Sequence, residues 1–210
     1  MKLSSNDIQH NAPIAETFCF GRVDPQQHVA LADNISPQLA WSGIPGDTRS
    51  LALICVDPDV PSKPDDVNQQ DREVPPDLPR INFYHWLMVD IPPSVSGLER
   101  GECGEGITPR GKRQPPGPTG SRQGINDFSN WFAGDEDMEG QYFGYDGPCP
   151  PWNDSLIHHY HFRLFALDCP RLDLPEAFTG DDVLAAMKGH VLDEAEIVGT
   201  CTLNPRLRHA

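Results

Sequence analysis

Six consecutive apolar residues, Leu51 to Val56, run into Asp57-Pro58-Asp59-Val60-Pro61. An unbroken apolar run of this length suits a strand covered on both faces. Proline cannot donate to a strand ladder, so the two prolines are expected to stop the strand and set the direction in which the carboxylates leave it. A second central strand is predicted over Phe83-Tyr84-His85-Trp86-Leu87-Met88-Val89, dense in aromatic and branched residues and stopped by Asp90-Ile91-Pro92-Pro93. Between the two, Lys63 to Arg80 is rich in Pro, Asp and Gln and reads as an exposed, mobile loop.

From His158 to Leu167 the pattern alternates, putting His158, Tyr160, Phe162, Leu164 and Ala166 on an inner face and His159, His161, Arg163 and Phe165 on the other. Asp181 to Gly189 has acidic residues in a first turn, helical apolar spacing and a glycine stop. Ala195 to Leu203 alternates again as a half-buried strand. Strands outnumber helices, so the expected architecture is mainly β, an antiparallel β-sandwich with one or two short helices near the C-terminus, forming one domain over residues 1–210.

Composition adds turns and charge to this picture. With 22 prolines and 18 glycines, the connections should be long. A net charge of -15 repels phosphate backbones and anionic membranes, so no nucleic-acid partner is expected. The N-terminal residues lack the apolar stretch of a secretory signal, and no run reaches membrane-spanning length, so a cytoplasmic protein without a transmembrane segment is expected. Six scattered cysteines, none in CxxC spacing, point to reduced thiols and to no metal site. His158, His159 and His161 cannot converge on one ion, because alternation turns His158 away from the other two. Arg110, Lys112, Arg113 and Arg122 form a basic island in a long connection, whose simplest reading is a solvated loop.

The stretches Asp57-Pro58-Asp59-Val60-Pro61, His85-Trp86-Leu87-Met88-Val89, Gly147-Pro148-Cys149-Pro150-Pro151 and His158-His159-Tyr160, in that order, resemble the signature of phosphatidylethanolamine-binding proteins. Asn34-Ile35-Ser36-Pro37-Gln38-Leu39-Ala40-Trp41-Ser42-Gly43 and Gly189-His190-Val191-Leu192-Asp193-Glu194-Ala195 are similar to its bacterial, Raf kinase inhibitor-like branch. The resemblance implies a sandwich of antiparallel sheets with a small surface cavity for phosphate-like or carboxylate-like anions, lined by Asp57, His85, Pro148, His158 and Tyr160. It implies no cofactor and no catalytic residues.

A carboxylate that orients an imidazole favours its charged form, and an imidazolium plus a tyrosine hydroxyl can donate to an anion. Asp57 is therefore expected to orient His85, with His158 and Tyr160 donating from the neighbouring strand. The chain departs from the family pattern at Trp152-Asn153-Asp154-Ser155, which adds bulk and a carboxylate near the mouth, and at His159, where arginine is common.

Three functions compete at this level. The first is binding of a small anion such as phosphate, a phospholipid head group or a phosphorylated ligand. The second is regulation through a protein partner, a kinase or protease, with Lys63 to Arg80 as the first surface to test. The third is hydrolysis by Asp57, His85 and His158, for which no nucleophile elbow, phosphate-cradling loop or metal motif is present. Dimers are frequent in the bacterial branch, which makes a homodimer the expected assembly.

Overall fold

The computed structural model describes residues 1–208. Its strands are β1 (Lys2–Ser4), β2 (Ala12–Pro13), β3 (Gly21–Asp24), β4 (His28–Leu31), β5 (Leu39–Ser42), β6 (Ser50–Pro61), β7 (Arg80–Ile91), β8 (Gly97–Leu98), β9 (Arg122–Gln123), β10 (His158–Leu167) and β11 (Val191–Cys201). The α-helices are a single turn, α1 (Phe128–Trp131), and α2 (Gly180–Met187), with a 3-10 turn at Glu16–Phe18. A six-stranded sheet in the order β2-β11-β10-β6-β7-β9 faces a three-stranded sheet β1-β5-β8, and β3 and β4 form a separate hairpin.

The continuous apolar run of β6 is explained by cover on both sides. Leu51, Leu53 and Cys55 join Trp86, Met88, Phe162 and Leu164 in a core closed by Leu39, Trp41 and Leu98 of the smaller sheet. Ala52 and Ile54, with Leu87, Val89 and Phe165, point the other way and pack under Phe178, Val183 and Met187 of the α2 layer. The sandwich expected from the pattern is present, with a helical layer added on its back.

Several local expectations need correction. The prolines after Asp57 do not end the strand, because β6 runs on to Pro61 through a one-residue bulge that sets Asp57 opposite Phe83 and Val60 opposite Ile81. Pairing of β6 with β10 has stopped by then, at Val56, so Pro58 breaks no ladder on that side. The sheet is not wholly antiparallel, since β2 runs parallel to β11. Of the one or two helices expected near the C-terminus, one, α2, is there as expected, and α1 sits mid-chain.

The loop from Lys63 to Arg80 is held down rather than loose. Val67 and Val74 are buried, and the Asn153 side-chain amide donates to the carbonyls of Asp66, Gln69 and Arg72. Its polar composition hid the fact that one buried amide satisfies its backbone. No helix among the described residues is long and apolar enough to cross a membrane.

Helix α2 begins with a capping box, in which the Thr179 hydroxyl accepts from the Asp182 amide and the Asp182 carboxylate accepts from the Thr179 amide. Its first residue, Gly180, lies against the Tyr84 ring, and an added Cβ would overlap that ring. Helix propensity favours alanine over glycine by about 1 kcal/mol, whereas forced overpacking costs about 1–3 kcal/mol. Gly180→Ala is therefore expected to destabilise the fold despite its better propensity, as a lower midpoint in urea unfolding; an unchanged or raised midpoint would contradict this packing.

Candidate functional site

Two bulges shape the mouth end of the large sheet. Cys55 lies opposite Trp86 and Val56 opposite Tyr84, which leaves His85 as the extra residue on β7. A bulged residue is released from the regular ladder and re-aimed. His85 turns toward Asp146: its carbonyl accepts from the Asp146 amide at 3.1 Å, and its Nδ1 donates to the Asp146 carbonyl at 2.8 Å. A carbonyl can only accept, so the proton sits on Nδ1 and Nε2 is the nitrogen without a protein partner. Asp146 is itself fixed by Asn34, Lys112 and Asn126, whose donors reach its carboxylate at 2.7, 2.7 and 2.8 Å.

On β10 the expected alternation holds. His158 and Tyr160 are buried, while His159 and His161 face outward and pair with Asp59 and Glu196. His158 Nδ1 meets Asp57 Oδ2 at 2.7 Å and Nε2 meets Asp154 Oδ2 at 3.1 Å. Ionised carboxylates only accept, so both ring nitrogens donate and the ring is an imidazolium. Burial opposes that charge, but the carboxylates of Asp57 and Asp154 outweigh it and raise the His158 pKa to about 9. Arg80 completes the group with a two-pronged bond to Asp154, at 2.6 and 3.1 Å. Burial would raise the Asp154 pKa, and the bonds from His158 and Arg80 lower it instead. Two buried anions and two cations thus cancel.

This arrangement corrects the expected division of labour. Asp57 orients His158, not His85, and His158 has no N–H left for a ligand. His158 also has no nitrogen free to take a proton from a substrate, which removes it from the hydrolytic scheme. Asp154 adds no free carboxylate to the mouth, because it is buried and fully engaged.

Asp57, His85, His158 and Tyr160 come together at one cavity of about 1050 Å³. Pro148 is not part of its lining; its carbonyl accepts from the amides of Phe20 and Gly21 behind it, and Pro150 and Pro151 form the wall. The remaining lining mixes apolar Phe20, Val60, Phe83, Phe128 and Phe132 with polar Asn68, Asn82, Asn130 and Thr179 and the carboxylates of Asp127 and Asp181. Trp131 lines the cavity and is 47% exposed, while Trp152 stacks on His28 at 3.9 Å outside the lining. The Tyr160 hydroxyl is fully buried and, among the described residues, has no partner in good hydrogen-bonding geometry, although the Asp57 carboxylate lies close by. Burial, and next the nearby Asp57 carboxylate, push its pKa well up, so it stays protonated as a donor.

The basic island does not reach the cavity. Lys112 and Arg122 are spent on Asp146 and Asp90, and Arg110 and Arg113 bond Glu136 and Gln141. Cys149 does line the cavity, but burial and then the neighbouring Cys201 push its thiol up to about 12, far from a nucleophilic thiolate. All six cysteines are unpaired.

A family model described as phosphatidylethanolamine-binding protein matches residues 4–202. A protein of Methanothermobacter thermautotrophicus named UPF0098 protein is 40% identical over 179 residues, covering 85% of this chain and 89% of that one. UPF0098 protein YbhB of Escherichia coli is 29% identical over 94% of this chain and 97% of its own length. Among solved structures, Escherichia coli YbcL, described as a new member of the mammalian PEBP family, superposes with a TM-score of 0.66 at 26% identity. The match covers 96% of this chain and 97% of YbcL.

The charge network carries a pH signature. A folded His158 pKa of about 9 against an unfolded value near about 6.5 means that its stabilisation is complete below about 6.5 and disappears as pH rises through about 9. The shift corresponds to about 3 kcal/mol. Unfolding free energy is expected to fall by that order between pH 6.5 and 9.5, and the His158 ring signals in NMR should stay those of an imidazolium beyond pH 8. A ring titrating near 6.5 would contradict the network.

Proposed function

Since the chain belongs to the phosphatidylethanolamine-binding protein family, we propose that its cavity binds a small phosphate- or carboxylate-bearing ligand. The observation that carries the proposal is the Tyr160 hydroxyl, a fully buried donor on the cavity lining that, among the described residues, has no partner in good hydrogen-bonding geometry, the nearby Asp57 carboxylate being already engaged by His158. Leaving such a group unpaired costs about 1–3 kcal/mol, and an anionic oxygen removes that cost with a charge-assisted bond. The Asp57, His158, Asp154 and Arg80 network is charge-balanced and adds no net negative charge of its own, although the Asp127 and Asp181 carboxylates also lie on the lining. His85 supplies the second donor once Nε2 is protonated. Aromatic and proline walls favour a ligand whose remaining part is apolar or flat.

The two donors act differently with pH. Burial lowers the His85 pKa below its usual 6.5, partly offset by Asp57 and Asp146, so the ring is neutral at neutral pH. Protonation there should strengthen anion binding only on the acid side. Sulfate is the suitable probe because phosphate changes its own charge near pH 6. In calorimetric titrations at fixed ionic strength, sulfate affinity is expected to rise as pH falls below about 6.5, and His85→Gln should flatten that rise. Tyr160→Phe should weaken binding about tenfold to a hundredfold at every pH, the value of one hydrogen bond to a charged group. Equal affinity for the parent and both variants would remove the cavity from consideration as an anion site.

A further inference from the structure

A second cluster lies away from the cavity, where β10 ends and β11 begins. The chain leaves β10 into Asp168 and Cys169, and it returns through His190 directly before β11. Backbone bonds fix all three positions. The Asp168 amide donates to the His190 carbonyl at 3.0 Å, the Ser50 hydroxyl donates to the Cys169 carbonyl at 2.7 Å, and the His190 amide donates to the Met187 carbonyl at 2.9 Å. Gly189, at φ +86°, supplies the left-handed turn that brings His190 back toward β10.

The side chains converge from this frame. One ligand atom from each of Asp168, Cys169 and His190 lies within 4.8 Å of the other two, and Asp168 Oδ1 is 2.7 Å from His190 Nδ1. We propose that Asp168, Cys169 and His190 form a binding site for a zinc-type divalent cation, with water as the fourth ligand. A carboxylate oxygen, a thiolate sulfur and an imidazole nitrogen make a mixed set that suits zinc or cobalt. Magnesium and calcium select oxygen ligands alone. At bond lengths of about 2.0–2.3 Å, tetrahedral ligand atoms stand roughly 3.3–3.8 Å apart. Asp168 Oδ1 and His190 Nδ1, 2.7 Å apart, would have to separate slightly and any wider ligand spacing to shorten, adjustments open to side chains that are 48% and 46% exposed.

Binding also balances its charges. The cation replaces the hydrogen between Asp168 and His190, which moves to Nε2 if the ring is neutral or is released to solvent if the ring is an imidazolium, and the Cys169 thiol releases its proton to solvent. One carboxylate and one thiolate then neutralise the two positive charges. None of the three residues lines the anion cavity, so the site is independent of the function proposed above. Spacing alone did not show it, because two adjacent residues at a strand end and a third beyond α2 match no metal motif.

Cobalt(II) is the direct probe, added to the reduced, untagged full-length chain. One equivalent is expected to bind, with intense visible bands of tetrahedral cobalt and a thiolate-to-cobalt charge-transfer band in the near ultraviolet, both removed by adding zinc. Cys169→Ser should abolish the charge-transfer band. Asp168→Asn and His190→Gln should each weaken binding about tenfold or more, while Cys149→Ser, at the other partly buried cysteine, leaves the band intact. No stoichiometric binding, a weak octahedral spectrum, or a charge-transfer band that survives Cys169→Ser would each overturn the proposal.

Discussion

The imidazolium of His158, clamped between the carboxylates of Asp57 and Asp154, is the interaction on which the mouth of this molecule depends. Asp57 comes from β6, His158 from β10, Asp154 from the segment before β10, and Arg80 from the start of β7. Three stretches of chain distant in sequence, with Asp154 and His158 four residues apart on one of them, are thereby held by largely buried charges. Removing one member of such a buried set strands the others, which typically costs about 3–5 kcal/mol, whereas replacing the whole set by well-packed apolar residues is often neutral. Its value is therefore geometric. It fixes where the strands end, and so it fixes the floor of the cavity.

Around that clamp, two bulges determine which side chains are left for a ligand. The bulge on β7 takes His85 out of register and fastens its Nδ1 side to Asp146, while the bulge on β6 lets the strand pass two prolines and present Asp57 inward. The division is between groups spent on structure and groups kept free. His158, Asp57 and Asp154 are spent, and Tyr160 and the Nε2 of His85 are free. The same economy appears at the basic island, whose Lys112 and Arg122 serve buried aspartates.

Cover on both faces of the large sheet supports this arrangement. A core on one side and α2 with its flanking segment on the other leave β6, β7 and β10 little freedom to shift. A site built at the ends of such strands is positioned by the sheet rather than by its loops. Even the long segment after β6 is tied to the site through Asn153 and through the bridge between Val74 and Asp154.

The sequence by itself determined what short-range periodicity can carry. Apolar runs and alternation located β6, β7 and β10, and period two alone placed His158 and Tyr160 inward and His159 and His161 outward, because successive side chains on a strand must point to opposite faces. Acidic first-turn residues and a glycine stop located α2. Motif order brought Asp57, His85, His158 and Tyr160 to one expected place. Only the tertiary structure decided which carboxylate serves which histidine. Asp57 lies on β6, between β7 and β10, so either His85 or His158 was within its reach. The choice was made by a bulge that turned His85 to Asp146 and by Asp154, whose neighbours in sequence gave no sign of burial. Local pattern records which face a residue takes; partners across strands depend on register, and register is set by contacts about a hundred residues away along the chain.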